Sequence, residues 1–243
     1  MKSWKERTIL AVGESGMTKL ENSSILICGV GGVGSWAAEM IARAGVGEIT
    51  IVDNDTVDVS NINRQMPALH KNIGKLKVDV VKERLMEINP ELRIHTFSIF
   101  IEEASLEQLF IKKYDYIVDA IDSITPKVLL IKKALDNNIP IVSSMGAGAK
   151  FDPLQIKVED ISKTKICPLA RIVRTKLKSY GVYKGFKAIY STEPAKKEAV
   201  IDGEQKNYKR SVLGTISYLP STFGMVAASV VIRDLIKAGE LFE

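Results

Sequence analysis

The chain has 243 residues, 46% of them apolar, and a formal net charge of +5. That length suits one large α/β domain, or one domain with a small annex, and the apolar share is enough for a substantial core. Its two cysteines, Cys28 and Cys167, argue against a disulfide framework or a cysteine-built zinc site and fit a reducing cytoplasm.

The first residues, Met1 to Arg7, are charged with no apolar run after them, so no signal peptide is expected. Arg7 precedes a short predicted helix, Thr8–Val12. A strand follows at Ser24–Cys28 and runs into Gly29-Val30-Gly31-Gly32-Val33-Gly34, with a helix over Ser35–Ala44. Gly29, Gly31 and Gly34 fill the G-x-G-x-x-G pattern and Gly32 adds a fourth glycine. Such a turn lets backbone approach a phosphate, and the helix N-terminus offers N–H groups to an anion. Asp53 ends the next strand, Glu48–Val52, where an acid that grips ribose hydroxyls is expected. The turn alone also fits dehydrogenases. The residues after it are more specific: Asp53-Asn54-Asp55, then Asn61-x-x-Arg64-Gln65, then Lys77. Two acids, an arginine and a lysine so grouped suit a triphosphate with a metal ion, cations on the phosphates and carboxylates on Mg²⁺.

Further strands are predicted at Arg93–Phe97, Tyr116–Asp119 and Ile139–Ser143. Helices are predicted at Lys75–Asn89, Leu106–Ile111 and Pro126–Asn137. The alternation predicts a doubly wound, mostly parallel sheet. Asp122 follows the strand that ends at Asp119, and Asp119 itself is read as shaping that loop. Gln155–Val158 alternates in polarity, Pro168–Tyr180 reads as a basic amphipathic helix, and Lys187–Tyr190 as a strand. Thr192–Arg210 is polar and charged and reads as a mobile loop. Ile216–Leu219 reads as a short strand. The uncharged stretch Leu213–Ile232 contains Gly214, Pro220 and Gly224, which makes a buried C-terminal helix over Ser221–Lys237 a better reading than a membrane span. His70 and His95 belong to no motif.

Charge is uneven: Lys150–Arg210 holds 15 Lys+Arg against 7 Asp+Glu, so the rest of the chain is net acidic. A local basic excess is the footprint of an anionic macromolecular partner, although a lysine-rich solvated surface has the same composition.

The glycine turn, Asp53-x-Asp55, Asn61-x-x-Arg64-Gln65, Lys77 and Asp122 together resemble, in order and spacing, the ubiquitin-activating-type adenylating enzymes, the ThiF/MoeB/HesA superfamily. Gly31–Glu39, Ser144–Gly148 with Asp152-Pro153, and Pro168-Leu169-Ala170 are most similar to the dehydratases of that superfamily that act on tRNA threonylcarbamoyladenosine. The superfamily likeness spans about residues 4–145 and the subgroup likeness extends to about residue 235.

The resemblance implies a Rossmann-like domain over 1–243, with an ATP-binding half (1–145) and a basic half (146–243) that binds substrate and supports a dimer. It implies ATP and Mg²⁺, with Arg64 and Lys77 on the triphosphate, Asp122 as the Mg²⁺–ATP ligand and Asp55 in a supporting or metal role. Asn61 and Gln65 complete the nucleotide site. Arg7 is implied to cross to a partner subunit in a homodimer and touch its γ-phosphate. The implied reaction is ATP-dependent adenylation of the threonylcarbamoyl carboxylate on the tRNA adenosine 3′ of the anticodon, followed by ring closure with loss of water, in the cytoplasm. A rival within the superfamily is adenylation of the C-terminal glycine of a ubiquitin-like sulfur carrier, but this chain lacks the paired C-x-x-C motifs of typical carrier-activating enzymes. A plain NAD-binding protein is disfavoured by Arg64, Lys77 and Asp122. Many dehydratase relatives have Asp where Cys167 precedes Pro-Leu-Ala, so the role of Cys167 stays open between structural and nucleophilic or metal-linked. A sulfurtransferase-type protein partner is likewise left open.

Overall fold

The computed structural model describes residues 3–206 and 209–237. Helix α1 (Glu6–Glu21) leads into β1 (Ser24–Cys28), α2 (Gly34–Arg43), β2 (Glu48–Val52), α3 (Lys77–Ile88), β3 (Arg93–Phe97) and α4 (Glu103–Leu109). Then come β4 (Tyr116–Asp119), α5 (Ile124–Asp136), β5 (Ile141–Ser144), β6 (Ile156–Asp160), α6 (Pro168–Lys178), β7 (Lys187–Ser191), β8 (Val200–Lys206), β9 (Lys209–Leu213) and α7 (Tyr218–Ile236).

Seven strands form one sheet in the order β3-β2-β1-β4-β5-β7-β6. Neighbours pair in parallel except β6, which closes the edge antiparallel to β7. The second half of the chain therefore completes the sheet begun by the first. β1 is buried along its length, as expected of a parallel strand covered on both faces. Its side chains alternate between two cores. Ile25 and Ile27 join α1, α2, α3 and α7, whereas Leu26 and Cys28 join α4, α5 and α6. The chain winds outward from β1 to β3, returns, and winds the other way from β4. The switch between β1 and β4 opens a crevice at the carboxyl ends of the strands, the usual ligand position in such sheets.

Helix α1 is longer than the Thr8–Val12 helix the sequence suggests, and it doubles back at Gly13, whose φ is 74°. A straight helix of that length would span about 24 Å, yet Lys5 pairs with Glu21 at 2.8 Å. Two other expectations need correction. The segment Thr192–Arg210 is not a loop throughout, because β8 and β9 pair antiparallel across much of it. These strands bond to each other and not to the main sheet, so an alternating apolar face, the usual signal, is not required of them. Residues 207 and 208 of that expected loop lie outside the described residues. Ile216–Leu219 is not a strand: α7 begins at Tyr218. Pro220 fits there because N–H groups in a first helical turn have no intrahelical acceptor.

By length and composition α7 could cross a membrane, but over half of it is buried in the fold. Leu219, Phe223, Ala227, Ala228 and Val231 lie in the first core.

Glu39, in the segment that carries the subgroup likeness, is buried and ties α2 to α3. Its carboxylate accepts from Arg84 Nε at 2.6 Å and from Arg43 Nε at 2.9 Å. Burial pushes the carboxyl up, but the two guanidinium groups outweigh it and hold it below the ordinary glutamate value of 4.5. A depressed carboxyl contributes stability that is present above the unfolded pKa and lost as pH falls through the folded one. Glu39→Gln is therefore expected to be less stable than the parent near neutrality, with the gap closing below about pH 4.5. Urea denaturation across that range measures it, and a gap independent of pH would contradict the assignment.

Candidate nucleotide-binding site

The glycine turn bends out of β1 at Gly29, whose φ of 86° a side chain rarely adopts. A Cβ there would stand 2.8 Å from the Ala120 carbonyl oxygen, beyond the end of β4. At Gly34 a Cβ would meet the Gly29 carbonyl oxygen at 1.8 Å, so only glycine lets α2 start so close to the strand. Above the turn, the positions that Cβ atoms would take at Gly31 and Gly32 show what faces them. Gln65 Oε1 lies 3.6 Å from the first, and Pro220 Cβ 3.1 Å and the Arg64 carbonyl oxygen 3.5 Å from the second. The turn, the 61–65 segment and the start of α7 thus converge on one cradle. Pro220 was not foreseen, because nothing in its local sequence marks a ligand contact.

Asp53 sits at the end of β2 and accepts the Val30 N–H at 2.8 Å and the Asp55 N–H at 2.9 Å. Each oxygen keeps a further lone pair, which suits a ribose hydroxyl. Burial pushes the Asp53 carboxyl above the ordinary aspartate range, against the pull of the Lys77 charge and the two N–H groups. Lys77 opens α3 with a nearly buried side chain, and its ammonium pairs with Asp55 at 2.8 Å. The acid implied in a supporting role thus holds the lysine beside Asp53.

Asn61 is buried and caps its own turn, its side-chain oxygen accepting the Asp58 N–H at 3.3 Å. Its carbonyl oxygen accepts the N–H groups of Arg64 at 3.1 Å and Gln65 at 2.9 Å. It shapes the segment that presents those two residues. Arg64 donates to the Ser60 carbonyl and to Asn63 at 2.8 Å each, and no carboxylate among the described residues pairs with it. Gln65 Oε1 is buried, and among the described residues it has no hydrogen-bond partner. A buried polar atom left so is costly. Phosphate oxygens are acceptors, so a half-turn of this amide would present its Nε2–H groups to a phosphate on the glycine turn.

Asp122 is exposed at the carboxyl end of β4, on the other side of the switch point, and accepts from the Ser123 hydroxyl at 3.3 Å. The described residues contain no group of three or more metal-binding side chains. The donor set nevertheless fits Mg²⁺, which commonly takes one or two carboxylates together with substrate phosphates.

Beneath Asp122 lies a feature that the sequence reading missed. Asp119 and Lys127 are both fully buried and pair at 2.6 Å. Ser143 donates to the same Asp119 oxygen at 2.5 Å, and Lys127 also donates to the Ser144 carbonyl at 3.0 Å. The other Asp119 oxygen accepts the Ile121 N–H at 3.1 Å, so Asp119 does shape the loop that carries Asp122. Lys127 could have been found from its spacing: with Leu130, Ile131 and Ala134 it occupies i, i+3, i+4 and i+7 on the buried face of α5.

Arg7 is exposed. Lys5, two residues earlier, pairs with Glu21 and Glu91, which places this part of α1 at the amino ends of the strands. Cys28 and Cys167 are buried within the second core. Burial and the Asp119 charge push the Cys28 thiol well up.

The ThiF family model matches residues 5–242. The chain is 41% identical to the tRNA threonylcarbamoyladenosine dehydratase of Bacillus subtilis, over 97% of this chain and 95% of that protein. It is 38% identical to the Escherichia coli enzyme of the same name, over 96% and 94% of the two chains. The crystal structure of the Escherichia coli tRNA N6-threonylcarbamoyladenosine dehydratase in complex with ATP superposes with a TM-score of 0.88 at 37% identity, covering 98% of this chain and 96% of that one. The match runs along nearly the whole chain, and this protein belongs to the ThiF family, alongside its tRNA threonylcarbamoyladenosine dehydratases.

Proposed function

We propose that this protein is an ATP-dependent tRNA-modifying enzyme that adenylates the threonylcarbamoyl carboxylate on the adenosine 3′ of the tRNA anticodon and drives its cyclising dehydration. The observation that carries the reading is the cradle itself: the glycine turn, the Gln65 amide facing it, Asp53 and Lys77 in one crevice, in a chain alignable almost end to end with dehydratases.

The ribose lies against Asp53 and the phosphates run along the glycine turn toward Lys77 and Arg64. Asp122 would hold Mg²⁺, which would supply neutralising charge to the phosphates. The substrate carboxylate attacks the α-phosphorus, the bond to the bridging oxygen breaks, and pyrophosphate leaves. A nucleophilic atom of the same side chain then attacks the activated carbonyl, loses its proton, and AMP departs. ATP thus becomes AMP and pyrophosphate while the nucleoside loses one water. The protein contributes position and fixed charge more than covalent chemistry. This sequence forms no thioester, so buried Cys28 and Cys167 and a sulfurtransferase-type partner have no step in it. The same point weighs against the sulfur-carrier alternative, since two cysteines cannot make paired C-x-x-C motifs.

The basic residues of 146–243 suit the tRNA backbone: Lys163, Lys165, Lys176 and Lys178 are all exposed. The tRNA substrate places the enzyme in the cytoplasm. The reading is tested by pyrophosphate release from ATP in the presence of threonylcarbamoylated tRNA, unmodified tRNA or a ubiquitin-like carrier. Release with the first alone is expected, and release with the carrier alone would overturn it.

The active unit in this reading is a homodimer in which Arg7 of each subunit reaches the γ-phosphate of the other. Arg7 lies two residues after Lys5, whose partners stand at the amino ends of the strands while the cradle is at their carboxyl ends, and that position supports exchange across a two-fold interface. An Arg7→Ala subunit and an Asp122→Ala subunit are each expected to be inactive. Mixed, they generate one site with both lesions and one with neither, so activity partly returns. No recovery despite demonstrated subunit exchange would contradict the shared site.

A further inference from the structure

Beside the cradle lies a second feature that the nucleotide does not account for. Phe151 and Tyr218 leave 41% and 45% of their surfaces exposed. They come from distant parts of the chain, yet the Tyr218 hydroxyl donates to the Phe151 carbonyl oxygen at 2.9 Å. The Glu193 carboxylate accepts the N–H groups of Phe151 and Asp152, both at 2.8 Å. Buried Lys150 donates to the carbonyl oxygens of Ser191 at 3.1 Å and Glu193 at 2.6 Å, clamping the two segments together. The Lys196 ammonium stands 4.4 Å from the centre of the Phe151 ring, and the Lys196 N–H bonds the Ala149 carbonyl at 3.0 Å. Two exposed aromatic side chains are thus held in fixed positions with a cation against one of them.

Their place is as informative as their chemistry. Tyr218 lies two residues before Pro220, which abuts the glycine turn. Asn63, next to Arg64, donates to the Thr215 carbonyl at 2.9 Å and fastens the approach to α7 to the cradle. The aromatic pair therefore flanks the cradle on its Arg64 side. In the reaction above, a carboxylate carried on a purine must reach the α-phosphorus, so the purine must be held within a side chain's length of the cradle. Unpaired RNA bases are commonly held by stacking on aromatic rings, with cations beside them for the backbone.

We propose that Phe151 and Tyr218, with Lys196, form the platform on which the purine of the substrate RNA loop stacks, so that its appended carboxylate points into the cradle. This rests on the tRNA reading for the identity of the ligand, but it makes a separate claim about where the base sits.

The test is binding of an anticodon stem–loop RNA carrying the threonylcarbamoyl adenosine, alongside turnover of the same RNA. Phe151→Ala is expected to weaken RNA binding roughly 5- to 150-fold, the range for losing one base–aromatic stack, with the KM for ATP unchanged. Phe151→Tyr keeps a ring and is expected to bind within a few-fold of the parent. Tyr218→Phe keeps its ring while losing the bond to the Phe151 carbonyl, and is expected to fall between them. Parent-like RNA affinity in Phe151→Ala would overturn the platform, and so would a raised KM for ATP with RNA affinity intact, which would assign the ring to the adenine of ATP. The two claims separate cleanly. RNA affinity judges the platform, whereas absence of turnover by the parent protein would count against the proposed reaction.

Discussion

Lys127→Met is expected to cost about 3–5 kcal/mol of stability, the usual penalty for leaving one member of a buried ion pair unpartnered. For a chain of this size that corresponds to a fall in Tm of roughly 6–20 °C. Asp119 is fully buried, and without Lys127 its carboxylate retains only the Ser143 hydroxyl and the Ile121 N–H as donors. The second change, Asp119→Leu in the Lys127→Met background, removes the stranded charge and is expected to restore much of the stability, since buried pairs replaced whole by apolar groups are often near neutral. Turnover should nonetheless be low in the double variant, because there the Ile121 N–H loses the Asp119 acceptor that fixes the Asp122 loop. Calorimetry and steady-state kinetics on the single and double variants measure this. A Lys127→Met protein as stable as the parent would mean the pair is not buried as described.

The other large effect is expected at the triphosphate. Lys77→Ala and Asp122→Ala should each lower kcat/KM by about 2–5 kcal/mol of lost charge interaction, which is roughly 30- to 4,000-fold, while the fold survives. The fold should tolerate both. Asp122 is exposed, and the partner that Lys77 leaves behind, Asp55, keeps 59% of its side chain exposed and can be solvated by water. The contrast with Lys127 is instructive: two lysines, each paired with an aspartate, are expected to fail in opposite ways. One loses stability first and the other loses turnover alone. A near-parent kcat/KM for ATP in either Lys77→Ala or Asp122→Ala would remove that residue from the site.

The doubly wound sheet was legible because its strands are short apolar runs and its turns are marked by glycine and proline. The cradle was legible because the glycine turn, Asp53 and Lys77 sit at recognisable offsets. What could not be read was any arrangement made by residues distant in sequence. Pro220 meets the glycine turn across nearly the whole length of the domain, and Gln65 becomes an orphaned acceptor only once the 61–65 segment folds over that turn. The β8–β9 hairpin was read as loop because its strands answer to each other alone. Arg7 is a different case. Its helix was underestimated, and the fold-back at Gly13, which carries it away from its own site, has no signal beyond a single glycine. Lys127 was overlooked only because lysine is assumed to face solvent, although its helical spacing places it on the buried face.

The proposed enzyme converts the threonylcarbamoyl side chain on tRNA to a cyclised form at the expense of ATP. The most direct measurement is mass spectrometry of nucleosides from threonylcarbamoylated tRNA incubated with the protein, ATP and Mg²⁺, digested mildly enough to preserve a labile ring. A nucleoside lighter by one water is expected, formed mole for mole with AMP and pyrophosphate and absent when Asp122→Ala replaces the parent. An unchanged nucleoside beside continuing AMP formation, or no AMP formation with this tRNA at all, would contradict it.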